Sequence, residues 1–524
     1  MDPATTNFLQ LYSKLRIAPT IKLDLMTATI DDLQRLLSTD SGLTSKQLVS
    51  LYLARIYRHD DYLRAVISIT PQNLLLQRAQ QLDDERRGGL VRSPLHGIPV
   101  LLKDNIATKP ATGLDTTAGS FALVDSKPYE NAVLVDKLLD AGAILLGKAS
   151  LSELSWWKGS RLICGWNAVY GQAQSPYVRG GLLADDTFAG HSNPGGSSSG
   201  SAIGVAAGYV PFSIGTETFG SLMLPAGRAA LYSLKPSRGI VSTKGVIPIS
   251  RFSDAPGPMT KTAKDLAFVM DVLVDKCKTQ VPKGGYISRV TGSWKGLRIG
   301  TLDPEVWNFG TQARKVLDPS MEQQLNDQVR HAYMEIERHV DVFHNNIPMP
   351  LSSTLDLDGE SCLMKIFEKD FQVEFEAYLR LCDTPKITTL GELIQFNRDH
   401  SDKELPPGNS NQEMLERCYN TNITEEQYLK YIAHVEKYGR ELGLNAIMDK
   451  YNLNIIIGPL ECDLGNFAAS AGYPIASMPL GYLDYNGRPH GLGAVARAHE
   501  DGLLIQLQSA FEKTFPQCRP LINV

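Results

Sequence analysis

The chain has 524 residues, 43% hydrophobic and 21% charged, an ordinary globular composition that holds material for a large core and excludes a disordered chain. Its formal net charge of -5, with no long basic block, lacks the electrostatic footprint of a nucleic-acid binder, so neither DNA nor RNA is expected as a partner. There is no signal-peptide layout at the start and no long uncharged apolar run, and the seven cysteines are scattered without a CxxC pair; a cytoplasmic protein with reduced thiols, no membrane partner and no metal is expected.

In "LTSKQLVSLYLARI" the spacing predicts a helix with Leu48, Leu51, Tyr52 and Ile56 on one face and Thr44 or Ser45 as N-cap. The apolar run Ile98 to Leu102, ended by Lys103-Asp104-Asn105, reads as a buried strand with Lys103 at its tip. Next, "ENAVLVDKLLDAGAILLGK" predicts a helix closed by Gly142 and a strand from Ala143 to Leu146, an αβ step typical of sheets covered on both faces. "SAIGVAAGYV" predicts a helix of small residues packed closely against a neighbour. A later helix has Asp318 as N-cap and Pro319 at its first position, with Met321, Leu325, Val329, Ala332 and Ile336 on one face. Residues from about Leu355 to Lys450 are more charged and helix-patterned, and strand signals return at "LNIIIGPL" and "YPIASMPLGYL". The expected organisation is one domain over 1–524: an N-terminal helical region to 75, a core over 76–345, a helical insertion over 350–450 and a return to the sheet over 451–524.

One run stands apart. From Asn193 to Ser221 the chain reads "NPGGSSSGSAIGVAAGYVPFSIGTETFGS", with six serines, two threonines and neither histidine nor lysine. A serine hydroxyl is a weak nucleophile unless a base takes its proton, so a catalytic serine here needs a base from elsewhere. Taken alone, such a run reads as a loop, and Lys103 as a strand-end charge.

The blocks "GIPVLLKDNI", "TTAGSFAL", "AGAILLGKASLSEL", "PGGSSSGSAIGVAAG", "GTETFGSLMLPAGRAALYSLKPSRGIVS", "SDAPGPMTKTAKDLA" and "AASAGYPIASMPLGY" together resemble the amidase signature hydrolases, and "GTET" with "TTLGELIQFNRDH" looks closest to the peptide amidase branch. The resemblance implies an α/β/α fold with a central mixed sheet. It also implies a triad of Ser221 as nucleophile, Ser197 in a cis peptide as proton relay and Lys103 as base; the two serines lie 24 residues apart, as the family pattern requires. Backbone N–H groups of Thr218, Phe219, Gly220 and Ser221 are expected to form the oxyanion hole. A lysine with an ordinary pKa near 10.4 cannot accept a proton at neutral pH, but burial at a strand end can depress it to about 7 or 8. Ser198, Ser199 and Ser201 are expected to cap the next helix, Lys148 and Lys235 to serve packing or the surface, and His96 to be a satisfied turn residue.

Two departures bear on specificity. Phe219 stands where relatives usually have glycine or aspartate, and Leu224 where many have arginine, so both are expected to line an apolar substrate site. The link "VRGGLLADDTFAGHS" is also longer than usual. The expected function is a cofactor-free amidase acting on a small-molecule or peptide-like amide through an acyl-enzyme on Ser221, with a homodimer allowed. The alternatives are acyl transfer from the same intermediate, a tRNA-transamidating subunit, disfavoured by charge, and a binding protein impaired by Phe219.

Overall fold

The computed structural model describes residues 23–38, 42–160, 162–309, 319–383 and 385–515. Eleven strands form the main sheet: β1 Val66–Ile69, β2 Pro99–Lys103, β3 Ile144–Ala149, β4 Phe212–Glu217, β5 Tyr232–Lys235, β6 Ala255–Thr260, β7 Arg298–Thr301, β8 Val342–His344, β9 Ile455–Pro459, β10 Ile475–Tyr482 and β11 Pro489–Val495. Their spatial order is β1-β3-β2-β4-β6-β5-β10-β11-β9-β7-β8. The sheet is mixed: β3, β2 and β4 run parallel, as do β9, β7 and β8. The strands between them pair antiparallel.

Strands β2, β3, β4, β6 and β11 are buried along their whole length, as expected where helices cover both faces. The helices used below are α1 Ser45–Leu63, α2 Val133–Asp140, α3 Ser199–Ala206, α4 Met223–Gly227, α5 Ala263–Leu273, α6 Pro319–Glu337, α7 Cys362–Leu379, α8 Glu425–Val435 and α9 Asp501–Thr514. Thr44 caps α1 with a full capping box, and Leu48, Tyr52 and Ile56 are buried beneath it. Helix α6 begins at Pro319 and buries Met321, Val329, Ala332 and Ile336; the expected cap Asp318 lies outside the described residues. Helix α3 has small residues for a measurable reason. A Cβ on Gly200 would stand 2.4 Å from the Ser150 carbonyl oxygen and 2.5 Å from that of Ala65, so only glycine lets this helix lie against the strand ends.

Between β8 and β9 the chain is largely helical, from α7 through α8 to Lys450. A fully buried ion cluster joins this segment to the rest of the fold: Lys158 Nζ lies 2.6 Å from Glu153 Oε1 and 2.7 Å from Glu404 Oε2. A buried charge costs heavily unless paired, so the cluster favours one seating of the helices. No helix among the described residues is long and apolar enough to cross a membrane.

Candidate active site

The site lies where β2 and β4 end side by side. The parallel register pairs Leu102 with Ile214, which brings Lys103 at the tip of β2 against Thr216 near the end of β4. Lys103 is fully buried. Its Nζ stands 2.8 Å from Ser197 Oγ, 2.9 Å from Thr216 Oγ1 and 3.2 Å from the Thr216 carbonyl oxygen. Asn105 Nδ2 also donates to Thr216 Oγ1, at 3.0 Å. Burial pushes the Lys103 amine down to about 7, although the charges of Asp254 and Glu217 oppose that fall.

The three acceptors around Nζ are not equivalent. A carbonyl oxygen can only accept, so one N–H is committed to Thr216 O. Ser197 Oγ and Thr216 Oγ1 are both hydroxyls, able to accept or to donate. A neutral amine has only two N–H groups, so one of these two hydroxyls faces its lone pair.

Ser197 follows two glycines with left-handed backbone, Gly195 at φ 73° and Gly196 at φ 55°. All peptide bonds among the described residues are trans, so the cis bond expected before Ser197 is not found; the two left-handed glycines turn the chain without it. The turn is held from outside, because the Ser197 carbonyl accepts from Ser152 N at 3.1 Å and the Gly196 carbonyl from Ser152 Oγ at 3.0 Å.

Ser221 sits opposite, half-buried. Its carbonyl accepts from Ser198 N at 3.2 Å, which stitches the two serine turns together. A Cβ on Gly196 would stand 3.3 Å from the Gly220 carbonyl oxygen, so the turns touch. No hydrogen bond joins the Ser221 and Ser197 hydroxyls among the described residues. The turn before Ser221 uses glycine for its strained position: Gly220 has φ 85°, whereas Phe219 is not in the left-handed region. Among the described residues, no backbone N–H from Thr218 to Ser221 donates a hydrogen bond. Glu217 Oε2 instead takes the next two, accepting from Leu222 N at 2.6 Å and Met223 N at 2.9 Å, which anchors the start of α4.

The two side chains expected to line the site have different settings. Phe219 is half-buried and stacks on Phe367 of α7, with ring centroids 5.6 Å apart; Phe367 also meets Trp157 edge-on at 6.0 Å. Leu224 lies against Gly220 and is nearly covered. Arg228 is committed elsewhere: it pairs with Glu461 at 3.1 Å and donates to the carbonyls of Gly190 and Ala189. The long link before Asn193 is thereby held down, and Asp186 accepts from Ser192 and Asn193 within it.

The other polar residues singled out in the sequence have varied settings. Ser198 Oγ donates to Thr216 O at 3.0 Å and Ser201 Oγ to Ile214 O at 3.3 Å, so these serines fasten α3 to β4 rather than cap it. Lys148 and Lys235 are both interior, not surface lysines. Lys148 donates to Ile106 O and Thr116 Oγ1, and burial lowers each amine to about 8. His96 is buried and pairs with Leu82 O at 3.0 Å. Thr216, Asn105, Glu217 and Asp254 were absent from the expected set. Their one signal in the sequence is a polar residue at the end of an otherwise apolar strand or in a tight turn.

A family model described as Amidase matches residues 47–438. The chain is similar to a protein named "Probable amidase" from Arabidopsis thaliana, at 32% identity over 511 residues, covering 96% of this chain and 92% of that one. The X-ray structure of native peptide amidase from Stenotrophomonas maltophilia superposes with a TM-score of 0.82 at 31% identity, over 95% of this chain and 99% of that chain. One chain of the Glutamyl-tRNA(Gln) amidotransferase from Chloroflexus aggregans is 37% identical over 263 residues, 49% of this chain and 50% of that protein. No group of three or more potential metal ligands is found among the described residues.

Proposed function

Because the chain belongs to the Amidase family, and is an amide hydrolase of α/β/α fold like the peptide amidase it superposes on, we propose that it cleaves its amide through an acyl-enzyme on Ser221, with Ser197 and Lys103 as relay and base. The whole chain acts as one catalytic unit, the helical segment near 350–450 seated over the sheet. The observation that carries the reading is the contact of Lys103 Nζ with Ser197 Oγ, 2.8 Å in a fully buried setting.

The steps start from a neutral amine whose lone pair accepts from Ser197, the hydroxyl 2.8 Å away. Neutral Lys103 accepts the Ser197 proton, Ser197 accepts that of Ser221, and the Ser221 oxygen attacks the amide carbon. The oxyanion that forms needs donors already in place, and the uncommitted N–H groups from Thr218 to Ser221 supply them. The proton returns to the leaving nitrogen, ammonia or an amine departs, and water repeats the sequence on the acyl-enzyme. Likeness to the tRNA amidotransferase chain covers about half of each protein, whereas likeness to peptide amidase covers nearly all of both, and this favours a free-standing hydrolase.

The test is covalent labelling with a fluorophosphonate, read by intact mass. One adduct is expected, mapped to Ser221, with a rate that rises with pH through about 7 and levels above. No adduct across pH 6 to 10 would overturn the reading and favour a binding role.

The apolar setting gives a second prediction. With Leu224 in place of a cation and Arg228 bound to Glu461, neither side chain is left to pair with a carboxylate beside the reacting bond. Leaving that charge unpaired in a partly dry site costs a few kcal/mol, so malonamate should turn over roughly 100-fold more slowly than a neutral amide of similar size. Equal kcat/KM for the two would show a cation that the geometry does not reveal.

A further inference from the structure

The turn that carries Ser221 is gripped from one side by a loop that is itself gripped by the helical insertion. Asp254, at the start of β6, accepts a hydrogen bond from Thr218 Oγ1 through Oδ1. Its other oxygen accepts from Ile249 N at 2.8 Å and Ser250 N at 3.0 Å. The neighbouring Ser253 Oγ donates to the Thr218 carbonyl at 2.6 Å. Thr218 is thus held by its hydroxyl and its carbonyl at once, which sets the plane of the following peptide and the direction of its N–H.

The far side of this loop meets helices α7 and α8. Ser250 Oγ donates to Asp370 Oδ2, and Tyr428 OH donates to Asp370 Oδ1 at 2.6 Å. Arg251 N lies 3.1 Å from Glu374 Oε2, and its guanidinium pairs with the same carboxylate. Hydrogen bonds therefore run without a break from Tyr428 through Asp370, the Ser250–Asp254 loop and Asp254 to Thr218.

We infer that Asp254 is a positioning residue for the Ser221 turn, and that the 250–254 loop makes the geometry of this turn depend on the seating of α7 and α8. The inference rests on the acyl-enzyme reading above. Four bonds that fix Thr218 and the loop are made by Asp254 and Ser253, so a carboxylate at 254 orients the N–H groups that would meet an oxyanion. Its charge also faces Lys103, together with Glu217. On the insertion side Asp254 faces Glu374, and Asp370 and Arg251 stand next to that residue.

The experiment compares fluorophosphonate labelling rates of the parent chain with those of Asp254→Asn, Thr218→Val, Thr218→Ser and Ser250→Ala, at matched folded fractions from thermal melts. Asp254→Asn and Thr218→Val should each slow labelling by roughly 10- to 100-fold, while Thr218→Ser, which keeps the hydroxyl, should recover most of the rate that Thr218→Val loses. Ser250→Ala, which cuts the link to Asp370 without touching Thr218, should slow labelling several-fold.

Asp254→Asn has a second readout that looser packing would not move. Losing a negative charge that favours the ammonium of Lys103 shifts the acid limb of the rate to lower pH, by roughly half a unit or more. Parent-like rates and an unmoved limb in Asp254→Asn would overturn the inference while leaving the acyl-enzyme reading intact. A parent chain that does not label at all would instead overturn the reading on which it rests. Equal losses in Thr218→Ser and Thr218→Val would show that the Thr218 hydroxyl acts through packing, which also counts against the inference.

Discussion

Ser221→Ala is expected to lose the fluorophosphonate adduct entirely and to lower amide turnover by about four to six orders of magnitude, with the fold unchanged. The size follows from what remains. Deleting a nucleophile leaves only binding and oxyanion donors, which in well-studied serine hydrolases sustain roughly 10³- to 10⁴-fold acceleration over water. Turnover of a suitable amide at more than about a hundredth of the parent rate would place the nucleophile elsewhere. The fold should survive because the Ser221 hydroxyl makes no hydrogen bond among the described residues, and its carbonyl, which accepts from Ser198 N at 3.2 Å, is retained by alanine. Cysteine at this position tests the same point chemically: it should react with thiol-directed reagents while amide turnover stays low.

Lys103→Met gives the second large effect, and here activity and stability are expected to move in opposite directions. Loss of the base should slow acylation by roughly 10²- to 10⁴-fold and remove the rise in labelling rate with pH. Stability follows from linkage. Burial holds the folded-state pKa near 7 against an unfolded value near 10.4. Between those two pH values the unfolded chain binds a proton that the native chain does not, so parent stability rises with pH across this window. Below about pH 7 both states are protonated, and the parent bears the full cost of a buried ammonium, roughly 5 kcal/mol. Methionine carries no such cost, although it gives up bonds to Ser197 and Thr216. The melting temperature of Lys103→Met relative to the parent should therefore climb as pH falls from 9 to 7 and then level off. A gap that is constant with pH would mean that Lys103 is not depressed.

The elements most visible in the sequence were those with a local signal. The capping pattern at Thr44 and the apolar spacing of Leu48, Tyr52 and Ile56 suffice for α1, and the run ending at Lys103 suffices for β2, because periodicity and punctuation act over a few residues. Burial of polar side chains obeys no such rule. Lys148 and Lys235 read as surface or packing residues, a choice the sequence leaves open; both are interior, since strand pairing rather than neighbouring sequence decides which side chains are covered. The serines after Gly196 read as caps because they precede a helix; β4, arriving beside them, offered carbonyl acceptors instead. The expected set for the site named the residues that would touch substrate and missed Thr216, Asn105, Glu217 and Asp254: the bonds of Lys103 and Asn105 to Thr216 join strand ends more than a hundred residues apart, and those of Glu217 and Asp254 depend on how the neighbouring turns fold back.

The strand order carries a consequence for how the chain is made. Strand β10 lies between β5 and β11, so the middle of the sheet waits for residues 475–495, which are made after every other strand of the sheet. Until then the nascent chain presents β5 as an open edge, with the β9-β7-β8 end cut off from the β1-to-β5 end. Pairing over such long sequence separations is slow, and an exposed edge is a template for pairing with other chains. Synthesis therefore passes through a window in which protection by chaperones matters most, and a stop codon before residue 475 would leave an aggregation-prone half-sheet rather than a shortened enzyme.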